Sequence, residues 1–137
     1  MSISDLKREI AAGWERTPAA ELSYQIIDFM APLDEQQLRM LTIPVLLDVL
    51  EKRQIDADFM AALAILANSS VQILDSKAIF ADDDGDEYHL ETEEFEEVRR
   101  ANAFAHPESG ELVPNYEAKL IPYFGPSERF LKARSDG

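Results

Sequence analysis

Cysteine is absent from the 137-residue sequence, and histidine occurs only twice, at His89 and His106. Without cysteine the chain cannot form a disulfide framework, a thiol nucleophile or a thiolate metal site. The same absence fits a reducing compartment. Glycine is scarce too, and because the five glycines are scattered, the sequence contains no glycine-rich loop of the kind that cradles phosphates.

Positive charge is also scarce. The chain has 13 Lys and Arg residues against 27 Asp and Glu residues, a formal net charge of −14. Such a balance repels the phosphates of nucleic acids and favours partners with basic surfaces. The alternative is that the acidity serves solubility alone. We expect a protein partner with a basic surface rather than nucleic acid, and we leave homo-oligomers open.

Long apolar runs are missing as well. The longest apolar-rich stretch, residues 59–67, is about half the length that a bilayer-spanning helix needs. The N-terminal segment MSISDLKREI is polar and lacks the apolar run of a signal peptide. We therefore expect a cytoplasmic protein without a membrane partner.

What the chain does contain is enough apolar material for one core, since 46% of its residues are hydrophobic. The sequence predicts one domain over 1–133, helical over 4–67, and a frayed tail over 134–137. Thr17 and Pro18 indicate a helix start, as does Asp34 followed by Gln37. Helices are further predicted over 44–54 and 57–67. The second is apolar nearly all round, so we expect it to be the most buried helix.

The periodicity changes after Asn68, Ser69 and Ser70. Short alternating segments around an Asp- and Gly-rich turn at 82–86 predict one β-hairpin over about 71–91. A helix is predicted over 92–102. An aromatic and proline-rich C-terminal segment follows over 107–133. A helix is predicted over 115–124, broken or ended near Pro122, and one further helical turn over 127–133. The fold class predicted is α+β, mostly helical, with one hairpin.

The order of two helices followed by a hairpin is the order found in a winged-helix unit. This is an analogy at the level of the fold, and a generic α+β domain with one hairpin explains the order equally well. DNA-binding versions carry Lys and Arg on the second helix and on the wing. Here the helix at 57–67 has none and the wing tip is rich in Asp, so a winged-helix fold would be of the protein-binding kind.

An acidic cluster without any cation occupies 82–97. Its ten members are Asp82, Asp83, Asp84, Asp86, Glu87, Glu91, Glu93, Glu94, Glu96 and Glu97. One interpretation is a calcium loop, but aligning Gly85 with the glycine of an EF-hand puts Phe80 at the first ligand position. A second is a docking face for a basic partner, and a third is a solvated turn and helix face. The candidate contact residues are Asp82, Asp83, Asp84, Asp86, Glu87, Glu93 and Glu94.

Aromatic side chains form a second group of candidate contacts. Tyr116, Tyr123 and Phe124 lie among prolines near the C-terminus, where they either fill the core or meet another subunit. We favour the core. Trp14, the only tryptophan, completes an apolar stripe with Leu6 and Ile10 and presents the same choice.

Catalysis finds little support. His89 lies in a predicted strand, and His106 precedes a proline. No serine or threonine lies in the sequence context of a recognisable nucleophile. We expect no cofactor and no metal. The function predicted is a non-enzymatic, acidic protein-binding subunit: an adaptor, an accessory component or an inhibitor of a basic partner. The alternatives are a nucleic-acid-binding regulator of winged-helix type and a metal-dependent or two-carboxylate enzyme that uses the 82–91 carboxylates.

Overall fold

The computed structural model describes residues 2–67 and 70–136. The predicted break at 68–69 and the last residue of the predicted tail, Gly137, lie outside the described residues. The predicted α+β class is confirmed. The helices are α1 Ile3–Trp14, α2 Pro18–Met30, α3 Glu35–Leu38, α4 Ile43–Val49, α5 Ala57–Ala67, α6 Thr92–Ala101, α7 Tyr116–Lys119 and α8 Glu128–Asp136. The strands are β1 Leu41–Thr42, β2 Leu74–Ala81, β3 Glu87–Leu90 and β4 Leu120–Pro126.

The chain divides into two compact units. Unit 1 comprises Met1–Asp75 and Gly125–Gly137, and unit 2 comprises Ser76–Phe124. The four strands form a sheet in the order β1-β4-β2-β3. The predicted winged-helix arrangement involves α4 and α5 of unit 1 and the hairpin of unit 2, and it stays a prediction.

Local chemistry explains where the helices of unit 1 begin. The Thr17 hydroxyl accepts a hydrogen bond from the Ala20 N–H, and Pro18 occupies the first turn of α2. At α3, Asp34 and Gln37 form the predicted capping box. Asp56 accepts from the Phe59 N–H at the start of α5. These capped starts confirm the helix positions predicted from the sequence.

The core of unit 1 lies between α2 and α5, with α1 and α4 against α2 and α8 against α1. Phe59, Leu66, Ile26 and Phe130 are among its fully buried side chains. Burying a large apolar side chain stabilises the folded state by about 1.5–3 kcal/mol, so this layer of helices is the main source of stability in unit 1.

Unit 2 is built on the predicted hairpin. Strand β2 pairs antiparallel with β3, with Ala78 opposite Leu90 and Ala81 opposite Glu87. One face of the hairpin packs against α6 and the loop after it. Its buried residues are Ala78, Phe80, Leu90, Phe95, Val98 and Phe104. The hairpin and the predicted helix at 92–102 are confirmed, the latter as α6.

The C-terminal segment differs from the prediction. The helix expected over 115–124 is wrong, because only 116–119 are helical and the chain then enters β4. Asn115 precedes α7 with φ of 55°, a left-handed conformation that asparagine tolerates. Helix α8 runs three residues past the predicted end at Ala133, and α4 ends at Val49 rather than at residue 54.

Candidate interaction surfaces

The acidic turn between β2 and β3 is organised by one of its own carboxylates. Asp82 Oδ1 accepts hydrogen bonds from the backbone N–H groups of Asp84, at 2.9 Å, and Asp86, at 3.1 Å. Gly85 takes a positive φ of 87° at the turn, a conformation that glycine adopts without a steric penalty. Asp82 therefore shapes the turn that presents its neighbours.

The second oxygen of Asp82 faces a histidine from a distant loop. Asp82 Oδ2 lies 3.3 Å from His106 Nε2, and only 11% of the Asp82 side chain is exposed. Burial raises the pKa of Asp82, but the hydrogen bonds from His106 and from the backbone of Asp86 and Asp84 outweigh it, so the pKa lies below its ordinary value. Asp82, one of the predicted contact residues, is thus committed to internal hydrogen bonds.

His106 uses both of its ring nitrogens inside unit 2. Nδ1 accepts a hydrogen bond from the Glu108 N–H at 3.1 Å, which leaves the proton of the neutral ring on Nε2, facing Asp82. The ring also packs edge-on against Phe80 and Tyr88. A general base needs a free nitrogen within reach of the proton it abstracts. In this arrangement His106 is a cross-link between the turn and the loop 106–111.

The other histidine is similarly engaged. His89 Nδ1 lies 3.3 Å from the hydroxyl of Tyr123. Tyr123 is 5% exposed, and its burial raises the pKa of the phenol, with Lys77 opposing and Glu91 adding to the effect. Within residues 2–67 and 70–136, no group of three or more His, Asp or Glu side chains is placed to hold a metal ion. Phe80, at the first position of the EF-hand alignment, is 1% exposed.

The remaining predicted acidic residues point into solvent. Asp83, Asp84, Asp86 and Glu87 are exposed around the turn. Asp83 lies 3.2 Å from Lys119 Nζ, with 86% of its side chain exposed, a geometry that contributes little to stability. These carboxylates form an exposed acidic field on the hairpin tip.

Two further predicted acidic residues, Glu93 and Glu94, lie in the first turn of α6, where the helix dipole stabilises negative charge. Glu94 also accepts a hydrogen bond from the Glu91 N–H. Both residues are exposed, so they add to the negative surface of unit 2 while Glu94 helps to begin the helix.

The predicted aromatic contacts are mostly interior. Tyr123 and Phe124 are 5% and 7% exposed, so they cannot form a free contact surface. Tyr116 is partly buried against the core of unit 2 and donates its hydroxyl hydrogen to Asn102 Oδ1 at 3.0 Å. Trp14 is the exception. It is only half-buried and lines a cavity in unit 1.

The most unusual surface of unit 1 lies on α5. One face of this helix is buried through Phe59, Ala62, Leu63, Ile65 and Leu66. The opposite face is exposed, and its members are Ala57, Asp58, Met60, Ala61 and Ala64. This face, which we call the α5 face, contains one polar residue in three turns. The prediction that α5 is the most buried helix therefore holds for one face of the helix and is wrong for the opposite face.

A groove runs along the α5 face. It has a volume of about 480 Å³, and α5 forms one side of it through Asp58, Ala61, Ala64 and Ile65. The other side is the junction of α1 and α2, with Trp14, Thr17, Pro18 and Ala19. Exposed Met60 extends the apolar surface along the helix, and Ile55, just before α5, is also half-exposed. Exposed apolar residues that lie next to one another and are rimmed by polar ones are typical of protein–protein interaction sites.

The charges around this groove are mainly negative, and the junction of α1 and α2 adds one charge of each sign, exposed Glu15 and Arg16. Neither α2 nor α5 contains a lysine or arginine, and no cation occurs between Arg53 and Lys77. Asp58 lies in the groove wall itself, and Glu21 lies in the first turn of α2. The groove therefore combines an apolar floor with a mainly acidic border.

The signal for this site was present in the sequence as the absence of polar residues around α5. A helix that is apolar on all sides must be covered on all sides. From the sequence alone, the rest of the chain was expected to cover α5.

Within the described residues, no helix is long and apolar enough to cross a membrane.

Comparisons of this chain with known protein families, with curated proteins and with solved structures find no match.

Proposed function

We propose that this chain is a non-enzymatic, acidic protein-binding subunit whose partner has a basic surface. The observation that carries the proposal is the exposed α5 face, where Met60, Ala61 and Ala64 present an apolar surface beside the groove lined by Trp14. Interface cores are depleted of charged residues and enriched in aromatic residues and methionine. Met60 on the α5 face and Trp14 across the groove belong to these enriched residue types.

The charge of the chain supports a basic partner. The net charge of −14 and the exposed carboxylates of the hairpin tip create a negative potential that attracts a cationic protein and accelerates its association. The same field disfavours nucleic acid, because each phosphate contact needs a cation. Helix α5, the counterpart of a recognition helix, carries Asp58 and no cation.

The proposal is tested by site-specific photo-crosslinking in the cells that make the protein. A photo-reactive residue replaces Ala61 on the α5 face, and a matched residue replaces Ala12, an exposed alanine of α1. We expect a covalent adduct with another protein from position 61 and none from position 12. Equal labelling from both positions, or no adduct from either, would contradict the proposal.

A further inference from the structure

We infer that the groove on the α5 face receives an amphipathic helix of the partner, with bulky apolar side chains on one side and lysine or arginine along both edges. This inference rests on the proposed function and specifies the shape and chemistry of what the site binds. Three features of the groove support it: the floor of small side chains, the length of the apolar surface and the mainly negative charge around it.

The floor of the groove is made of small side chains. Ala61 and Ala64 are exposed, and Trp14 and Pro18 form the opposite wall. Alanine on one helix allows a second helix to approach closely and to insert larger side chains between the walls. A groove of about 480 Å³ with this floor accepts apolar side chains that the alanines themselves do not supply.

The apolar surface is long rather than compact. Ala57, Met60, Ala61 and Ala64 follow the i, i+3, i+4, i+7 spacing of one helical stripe. The 11 residues of α5 extend over about 16 Å at the rise of an α-helix. A second helix laid along such a stripe buries its whole length, as in helix-in-groove recognition. A compact ligand would leave Met60 and Ala57 uncovered.

Charge decides what flanks the apolar stripe of the partner. The groove border carries Asp58, α2 and α5 contribute no cation, and the junction of α1 and α2 adds one charge of each sign through Glu15 and Arg16. A helix edged with Lys or Arg meets these carboxylates favourably, whereas one edged with Glu meets repulsion. A second copy of this chain fits poorly, because its own α5 brings Asp58 and no cation, and each copy carries a charge of −14.

Trp14 provides a direct readout of occupancy, because it is the only tryptophan and lines the groove. Three tryptophan-free peptides are titrated into the full chain while its fluorescence is recorded. The first has leucines at i, i+3, i+4 and i+7 with lysines along both edges. The second replaces the lysines by glutamates, and the third replaces the leucines by serines.

We expect saturable binding of the lysine-edged peptide alone, with a change in Trp14 emission. Its affinity should fall as salt rises from about 0.1 M to about 1 M, where the Debye length shrinks from about 10 Å to about 3 Å. Equal binding of the lysine-edged and glutamate-edged peptides would overturn the charge argument. Binding of the serine peptide as tightly as the leucine peptide would overturn the apolar argument.

Two pairs of variants localise the effect. Ala61→Arg fills the groove floor and should raise the Kd of the lysine-edged peptide roughly tenfold or more, whereas Ala12→Arg adds the same charge elsewhere on unit 1 and should leave it unchanged. Asp58→Asn should raise the Kd roughly twofold to fivefold. Glu35→Gln, which removes a first-turn acid of α3, should not. Equal effects within either pair would overturn the site assignment.

The two proposals fail in different ways. If position 61 crosslinks to a protein in the cell but the lysine-edged peptide does not bind, the chain is a binding subunit whose groove takes another shape of partner. If position 61 gives no adduct, the proposed function itself fails. Concentration-dependent dimerisation of the chain, abolished by Ala61→Arg, would identify a second copy as the occupant and overturn the inference.

Discussion

Arg129 in α8 donates a hydrogen bond to the carboxylate of Glu9 in α1, a residue 120 positions earlier in the chain. The same guanidinium donates to the backbone carbonyls of Ser70 and Val71. One side chain thus joins α8 to α1 and to the segment before β2. Only the planar, multi-donor guanidinium can satisfy acceptors in these several directions at once.

Replacement of Arg129 by lysine should therefore destabilise unit 1 although the charge is kept. Lysine cannot reach the carboxylate and both carbonyls, so we expect a loss of about 1–2 kcal/mol in the free energy of unfolding. The measurement is urea denaturation followed by circular dichroism. Arg8→Lys is the control, since Arg8 is 78% exposed and pairs with Asp5 within one helix, and the change there should stay within about 0.5 kcal/mol. Equal losses in the two variants would refute the prediction.

The orientation of α5 can be tested with two neighbouring residues. Phe59 is fully buried, whereas Met60 is 50% exposed. Phe59→Ala should lower the free energy of unfolding by about 3–5 kcal/mol, and Met60→Ala should change it by no more than about 0.5 kcal/mol. Thermal and urea unfolding of both variants measure the difference. A loss at Met60 as large as that at Phe59 would mean that the α5 face is already covered.

The lowered pKa of Asp82 predicts a loss of stability in acid. Because the folded pKa lies below the unfolded value of 3.8, the contribution of the carboxylate is fully present above that value. It is lost as the pH falls through the folded pKa. The difference in unfolding free energy between the wild type and Asp82→Asn should therefore be largest near neutral pH and shrink in acid. If this difference in unfolding free energy stayed constant from neutral pH to below the folded pKa, the hydrogen bonds assigned to Asp82 would be contradicted.

Tyr88 predicts a second pH effect, at the alkaline end. Burial, followed by the hydrogen bond and charge of Glu108, raises the pKa of Tyr88 to about 12 from 10.0. The neutral phenol is favoured in the folded state, so stability is complete below pH 10 and is lost as the pH rises from 10 towards 12. Relative to Tyr88→Phe, the wild type should lose stability over this window.

Ultraviolet titration of tyrosinate absorbance checks the same assignment without unfolding the chain. Glu108→Gln removes the charge of Glu108, the third cause of the shift, and should move the Tyr88 transition towards 10.0. The transition assigned to Tyr88 must disappear in Tyr88→Phe. A Glu108→Gln titration curve that coincides with the wild type would show that Glu108 does not act on the phenol.

Local signals in the sequence were sufficient for much of the fold. Thr17 with Pro18, and Asp34 with Gln37, act within a few residues of the helices that they start, so their chemistry is readable without tertiary information. The hairpin was predictable for the same reason, from the alternation of apolar and polar residues on both sides of the turn at 82–86. Strand β4 was not predictable in this way, because its pairing partners lie more than 30 residues away along the chain, and the aromatic residues of the segment fit a helix or a strand equally well.

The candidate site was predicted only in part. The exposed positions of Asp83, Asp84 and Asp86 follow from turn chemistry and charge, whereas the internal role of Asp82 depends on a contact with His106, 24 residues away. The α5 face could not be found from periodicity. A helix without a polar side gives no pattern that tells which of its apolar residues meets the core.

The division of the chain has a consequence for the order of synthesis. Phe130 in α8 is fully buried in unit 1, yet the whole of Ser76–Phe124 is translated before it. At about 5–20 residues per second, those residues occupy the ribosome for several seconds. Throughout that interval α1 to α5 lack the buried residues of α8, Phe130 and Ala133, so the first unit to be started is the last that can be completed.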